Sequence, residues 1–297
     1  MLRQKLTHQI FQHLKTKAMN ILNIIDEIEK VDGEVYERLN PRRKALKSFS
    51  SFGSKVALAS VPLALGSMFK KAYGAAVSTE VTDVLQFALT LEYLEYEFYL
   101  MACDKGASLV PTAPGRAAIN TIKKHEKAHV DFLKETLTSL GVTPVAKPTF
   151  DFSAGNGSGE GPFKEVFNDY DLFLAVAQTF EDTGVRAYKG QAGNLISQGD
   201  ILEAALRIHS VEARHASHIR SMRMARGAAV KPWITGKESG IGPAVQASYD
   251  GEEITNQATI EIVNINGFSI SAAAASEAFD EPLTKAQILA IVDGFIV

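Results

Sequence analysis

Four stretches of the chain carry apolar side chains at alternating intervals of three and four residues. They are residues 81–99, 116–140, 170–195 and 201–222. Because an α-helix has 3.6 residues per turn, this spacing returns each apolar side chain to the same helix face. The pattern therefore predicts four amphipathic helices that bury one face each in a common core.

Each predicted helix interrupts its apolar face near mid-length with ionisable residues. In chain order these are Glu92, then Glu126 with His129, then Glu181, then Glu212 with His215. A charge in an apolar core is costly unless it is paired or bound to a metal ion. Four carboxylates and two imidazoles on facing helix faces are a ligand set for a pair of metal ions.

The interruptions belong to an internal repeat, in which a Glu, a Tyr seven residues later and a Glu-x-x-His motif occur twice. The two copies are Glu92, Tyr99, Glu126 and His129, then Glu181, Tyr188, Glu212 and His215. We expect the tyrosines either to hydrogen-bond ligand carboxylates or to serve as packing residues. The copies differ at Glu95, whose counterpart is Gly184. We expect Glu95 to act beside the ligands or in ion entry rather than as a ligand.

The connections between the predicted helices indicate the topology. Two short turns join helices one and two and helices three and four, whereas residues 141–163, rich in Gly, Ser and Pro, join the two hairpins. A long central crossover is typical of ferritin-like bundles. Residues 80–226 resemble a ferritin-like di-iron carboxylate domain, and the resemblance implies that the six Glu and His residues are its ligands. Residues 278–296 resemble the tail of bacterial ferritin-like proteins related to plant desiccation-associated proteins.

The sequence thus predicts an all-α fold, a ferritin-like four-helix bundle over residues 77–226. Residues 227–297 are expected to form a C-terminal extension of irregular segments and short helices that packs on the bundle. Within it, 258–266 reads as a short strand or extended segment.

Residues 1–76 are expected to be a leader. Arg42–Arg43 precede an apolar run at 56–69, which resembles a twin-arginine export signal. This predicts a periplasmic or extracellular protein. The alternative is a cytoplasmic protein whose leader packs on the bundle or forms a basic loop.

Composition excludes several classes of function. A net charge of −3 and a pI near 6.2 give no basic surface for nucleic acid. The single cysteine, Cys103, excludes an intramolecular disulfide. The apolar run of the leader is short for a transmembrane helix, so we expect no stable membrane insertion of the mature chain. A homo-oligomer is compatible with the sequence.

The expected ligand set favours redox chemistry. Oxygen-rich ligation with one imidazole per ion suits Fe or Mn better than Zn or Cu(I). We therefore expect two Fe ions, or Mn, per chain, with the six ligands forming the catalytic site. The expected activity is oxidation of Fe(II) or reaction with O₂ or peroxide in a stress-protective role. The alternatives are a non-catalytic, desiccation-type metal-binding protein and, third, iron storage in a closed cage.

The segment HEKAH, residues 125–129, also matches the H-E-x-x-H motif of zinc metalloproteases, with His125 and His129 as ligands. Two observations disfavour this interpretation. The second copy has Val211 at the position of His125, and the apolar stripe through 122, 126 and 129 leaves His125 to one side. We expect His125, His209 and His218 to flank the site.

Overall fold

The computed structural model of the protein describes residues 77–297. The export signal predicted at Arg42–Arg43, with the rest of the leader, lies outside the described residues, and export stays a prediction. The described part is mostly helical, which confirms the predicted all-α fold class. Within it, no helix is long and apolar enough to cross a membrane.

Four long helices form the bundle. They are α1 (Thr79–Lys105), α2 (Ala113–Ser139), α3 (Tyr170–Gln191) and α4 (Gly199–Ala225). Helix α1 packs mainly on α2, and α3 packs mainly on α4, so the bundle consists of two helical hairpins. The side chains of Ser78, Thr112 and Asp169 accept backbone N–H groups at the starts of α1, α2 and α3, which satisfies donors that would otherwise lack a helical partner.

Helix α3 is buried on every side along most of its length. Every residue from 173 to 188 is buried. A helix with one apolar stripe normally leaves its other face to solvent. Here the outer face is covered by the crossover and the C-terminal extension, so polar residues such as Asp182 and Arg186 are buried as well.

The extension contains short elements joined by irregular backbone. These are β1 (Asn256–Gln257), β2 (Ile260–Glu261), α5 (Ala272–Ser276) and α6 (Lys285–Val292), with 3₁₀ turns at Pro243–Ser248, Ile265–Gly267 and Asp293–Phe295. Strands β1 and β2 pair in antiparallel register. The segment 258–266, predicted to be a short strand or extended, therefore contains a two-residue strand, β2, and then the start of a 3₁₀ turn. Asn264 and Asn266 adopt positive φ angles of 54° and 56°, which end any extended run.

Arg186 of α3 links the bundle to the extension through hydrogen bonds and an ion pair. Its guanidinium donates to the backbone carbonyls of Ser248, Asp250 and Glu281 at 2.7, 2.8 and 2.7 Å. It also forms a 2.7 Å ion pair with the buried Glu252. The extension therefore covers α3 through directed contacts as well as apolar packing.

The last residues of the chain also lie along the crossover. Phe150 and Ile296 form an antiparallel bridge, and the N–H of Val297 donates to the carbonyl of Thr149 at 2.9 Å. Beneath them, the ring of Phe98 on α1 lies 5.3 Å from that of Phe152 in the crossover and 5.0 Å from that of Phe173 on α3. This aromatic packing holds the crossover against the bundle beside Tyr99.

Candidate metal centre

The six residues singled out by the internal repeat meet in the middle of the bundle. They form two overlapping groups, Glu92, Glu126, His129 and Glu212, and then Glu126, Glu181, Glu212 and His215. In each group, one donor atom from every residue lies within 4.8 Å of the others. All four carboxylate residues are fully buried, and both histidines are buried.

Two of the carboxylates are shared between the groups. Glu126 and Glu212 belong to both, whereas each group has one further Glu and one His of its own. The arrangement is therefore two half-sites joined by two carboxylates. This matches the general pattern of dimetal bundles, in which two helices supply a Glu and two supply Glu-x-x-His.

Both histidines turn Nδ1 towards the carboxylates. Nδ1 of His129 lies 3.2, 3.1 and 3.1 Å from oxygens of Glu92, Glu126 and Glu212. Nδ1 of His215 lies 2.8 Å from Glu126 Oε1 and 3.3 Å from Glu181 Oε2. The inward nitrogen of each ring is thus the one available to a metal ion.

Several of these donor atoms are buried without a hydrogen-bond partner among the described residues. They include Glu126 Oε1, Glu181 Oε2, both carboxylate oxygens of Glu212, and His215 Nδ1. The 2.8 Å approach of His215 Nδ1 to Glu126 Oε1 does not have the alignment of a hydrogen bond. Buried oxygens with unused lone pairs are costly. Lone pairs that converge in this way fit divalent metal ions.

Burial and mutual repulsion raise the pKa of most of the carboxyls. Burial raises the pKa of Glu92 to about 7, and His129 offsets only part of this effect. Burial and then the charge of Glu126 raise the pKa of Glu212 well above its usual value. Burial would also raise the pKa of Glu126, but the close imidazoles of His129 and His215 outweigh it and hold that pKa well below its usual range.

The pKa values of the two imidazoles are raised although both rings are buried. Burial alone would lower the pKa of His215, but the carboxylates of Glu181 and Glu126 outweigh it and raise the pKa to about 11. Glu92, Glu126 and Glu212 likewise outweigh burial and raise the pKa of His129 well above 6.5. Without metal, the cluster therefore holds several protons at neutral pH.

Metal binding should tighten as pH rises from 6 to 8. An ion can bind only after these protons leave, because ligating imidazoles are neutral and ligating carboxyls are ionised. Glu92, with a pKa of about 7, loses its proton across this range, and the raised pKa of His215 means that its proton must be displaced by the ion. Each displaced proton lowers the apparent Kd about tenfold per pH unit. Calorimetric titration with Mn(II) in two buffers of different protonation enthalpy measures the release, and a pH-independent Kd would contradict it.

Tyr99 and Tyr188 hydrogen-bond across the bundle. The hydroxyl of Tyr99 donates to Glu181 Oε1 at 2.5 Å, and the hydroxyl of Tyr188 donates to Glu92 Oε1 at 2.5 Å. Each tyrosine therefore donates a hydrogen bond to the Glu of the other repeat copy. The contact fixes one oxygen of each Glu and directs the other towards its half-site.

Glu95 lies against the cluster but belongs to neither donor group. A Cβ at Gly184 would lie 3.1 Å from Glu95 Oε1 and 3.4 Å from Glu212 Oε2. The missing side chain at 184 is therefore the space that the Glu95 carboxyl uses. Burial, followed by the charge of Glu212, raises the pKa of Glu95 well above its usual value, which favours a protonated carboxyl beside the donor groups.

The three other histidines within residues 77–297 lie outside the donor groups. His125 is exposed, and its Nδ1 lies 2.9 Å from the outward Nε2 of His215. This position gives no support to a zinc-protease arrangement, in which His125 and His129 would share one ion. His209 is half-buried and His218 is exposed.

Sequence reasoning missed a buried polar network beside the two donor groups. Arg220 of α4 donates to both carboxylate oxygens of Asp182 on α3, at 3.1 and 2.5 Å. The hydroxyl of Tyr249 in the extension donates to the same carboxylate at 2.8 Å, and the amide of Gln178 donates to Tyr249 at 3.0 Å. Asp182 directly follows Glu181, so the network restrains the backbone that carries this residue of the donor group.

Comparison with known proteins bears on the same helices. A model of the ferritin-like domain family matches residues 80–225, which run from the start of α1 to the end of α4. The matched segment contains all six residues of the two donor groups. A search of the curated proteins finds no significant match to the chain.

Proposed function

Because residues 80–225 belong to the ferritin-like domain family, we propose that the chain binds two iron or manganese ions and oxidises Fe(II), with O₂ or peroxide as the oxidant. The observation that carries this proposal is the convergence of buried, unpartnered donor atoms around two shared carboxylates. Oxygen-rich ligation with one imidazole per ion favours Fe or Mn over Zn or Cu(I). Four carboxylates also balance the charge of two divalent ions.

The residues of the chain hold and orient the reacting ions. Glu126 and Glu212 would contact both ions and keep them adjacent, while Glu92 with His129 and Glu181 with His215 would complete one half-site each. Tyr99 and Tyr188 restrict the rotation of the two unshared carboxylates. Bound Fe(II) would supply one electron per ion, so that two Fe(II), one O₂ and two protons would give two Fe(III) and one hydrogen peroxide.

Six protein ligands leave room for an oxidant. Two ions that shared two carboxylates would not be saturated by four Glu and two His, so coordination positions would stay open to O₂ or peroxide. Burial of the whole cluster limits competing reactions with bulk water. With peroxide as the oxidant, two Fe(II) and two protons would convert one H₂O₂ into two water molecules and leave two Fe(III). That reaction would remove both Fe(II) and peroxide, which supports a stress-protective role.

Iron oxidation is the test of this function. We expect Fe(II)-loaded protein to oxidise its iron in air-saturated buffer faster than buffer alone, measured by the rise in Fe(III) absorbance. Glu92→Ala and Glu181→Ala should each slow the reaction about tenfold or more, because each removes an unshared ligand. Glu95→Ala is the matched control, because it also removes a buried carboxyl group from α1, one helical turn from Glu92. We expect it to slow the reaction less.

Two results would change the assignment. A rate equal to buffer in protein that retains two ions would favour the second candidate, a non-catalytic protective metal-binding protein. The full burial of all four ligand carboxylates favours that candidate, because a closed site can hold ions without reacting. Equal slowing in Glu95→Ala and Glu92→Ala would make Glu95 a ligand.

A further inference from the structure

The two half-sites have the same types of donor residue but differ in what contacts the outward ring nitrogen of the histidine. His125, one residue before Glu126 on α2, reaches across to α4 and places its Nδ1 2.9 Å from Nε2 of His215. The two rings are nearly parallel, with an interplanar angle of 14°. The corresponding position before Glu212 is Val211, whose side chain cannot form a hydrogen bond with His129.

This contact has a defined chemical consequence for His215. An imidazole that binds a metal ion through Nδ1 carries its proton on Nε2, and that N–H needs an acceptor. Nδ1 of His125 is the acceptor in reach, provided that His125 carries its own proton on Nε2. His125 is exposed, so solvent can satisfy that second N–H. The contact would then fix both the tautomer and the orientation of the His215 ring.

We propose that His125 is the positioning residue of His215 and makes the half-site of Glu181 and His215 the tighter of the two. The inference rests on the proposed dimetal site. It requires that the two ions bind in two distinguishable steps although their protein ligands are of the same types. The half-site of Glu92 and His129 binds without help from position 211 and is the weaker one.

The experiment isolates each half-site before it tests His125. Glu181→Ala leaves the half-site of His129, and Glu92→Ala leaves the half-site of His215, so each variant of the full chain should bind one Mn(II) ion strongly. Free Mn(II) is counted by electron paramagnetic resonance during titration of metal-free protein. Adding His125→Leu should raise the Kd about tenfold or more in the Glu92→Ala background. In the Glu181→Ala background it should leave the Kd within about twofold.

A rescue variant separates positioning from a general structural effect. In His125→Asn the amide oxygen lies near the position of Nδ1 and can accept the same N–H, so it should restore most of the affinity that His125→Leu loses. His218→Leu removes another exposed histidine and should change neither Kd, since His218 belongs to neither donor group.

The outcomes are separable from those of the proposed function. Equal Kd values for both backgrounds with and without His125→Leu would overturn this inference while the dimetal site stands. Equal weakening in both backgrounds, or no recovery in His125→Asn, would also overturn it. Failure of the unmodified chain to bind Mn(II) or Fe(II) would instead remove the dimetal site.

Discussion

Replacing both shared carboxylates, in Glu126→Ala with Glu212→Ala, should abolish metal binding. Each of these residues contributes to both donor groups, and each is fully buried. Their removal leaves one Glu and one His per ion and takes away half of the negative charge that balances two divalent ions. The fold should survive, because three of the four buried oxygens that the substitutions remove lack a hydrogen-bond partner among the described residues.

Metal content after dialysis against Fe(II) or Mn(II), with circular dichroism to verify helix content, measures this loss. The control is Glu135→Ala with Glu203→Ala, which removes one carboxylate from each of the same two helices outside the donor groups. The control should retain its ions. Undiminished metal content in the double variant of Glu126 and Glu212 would show that the ions bind elsewhere.

Arg220→Ala should produce the largest loss of stability among single substitutions near the site. Arg220 and Asp182 are both buried and form a bidentate ion pair. Removing the guanidinium leaves the Asp182 carboxylate buried, with the hydroxyl of Tyr249 as its remaining donor. Breaking a buried pair from one side costs about 3–5 kcal/mol of unfolding free energy.

Denaturant unfolding of the metal-free protein measures this cost and avoids the added stability from bound ions. Arg207→Ala is the matched control, because Arg207 lies on the same helix and pairs with Glu203 on the exposed surface. Exposed pairs at this spacing contribute about 0.3–0.5 kcal/mol. Equal losses in the two variants would contradict a role for the buried network in holding the extension to the bundle.

Helical periodicity made the bundle predictable, because its signal is local. The stripe at 81–99 became α1 over Thr79–Lys105, and the stripe at 116–140 became α2 over Ala113–Ser139. The placement of ionisable residues on those stripes also implied that they would face one another. The spacing of residues along each helix was therefore enough to predict the helices of the bundle and the residues that face its core.

Contacts between helices were not predictable from the same pattern. Nothing in the spacing indicates that Tyr99 hydrogen-bonds Glu181, or that His125 reaches His215, because both contacts depend on how helices cross. The burial of Asp182 was likewise hidden, since its covering residue Tyr249 lies 67 positions later in an irregular segment. The periodicity assigned one buried face to α3, whereas the extension buries the other.

The number of metal ions per chain is the most direct test of the dimetal centre. Metal analysis of the full chain, followed by anomalous diffraction at the Fe or Mn edge, counts the ions and locates them. The site predicts about two per chain, both in contact with Glu126 and Glu212. A single ion, no ion, or two ions bound away from these carboxylates would contradict it.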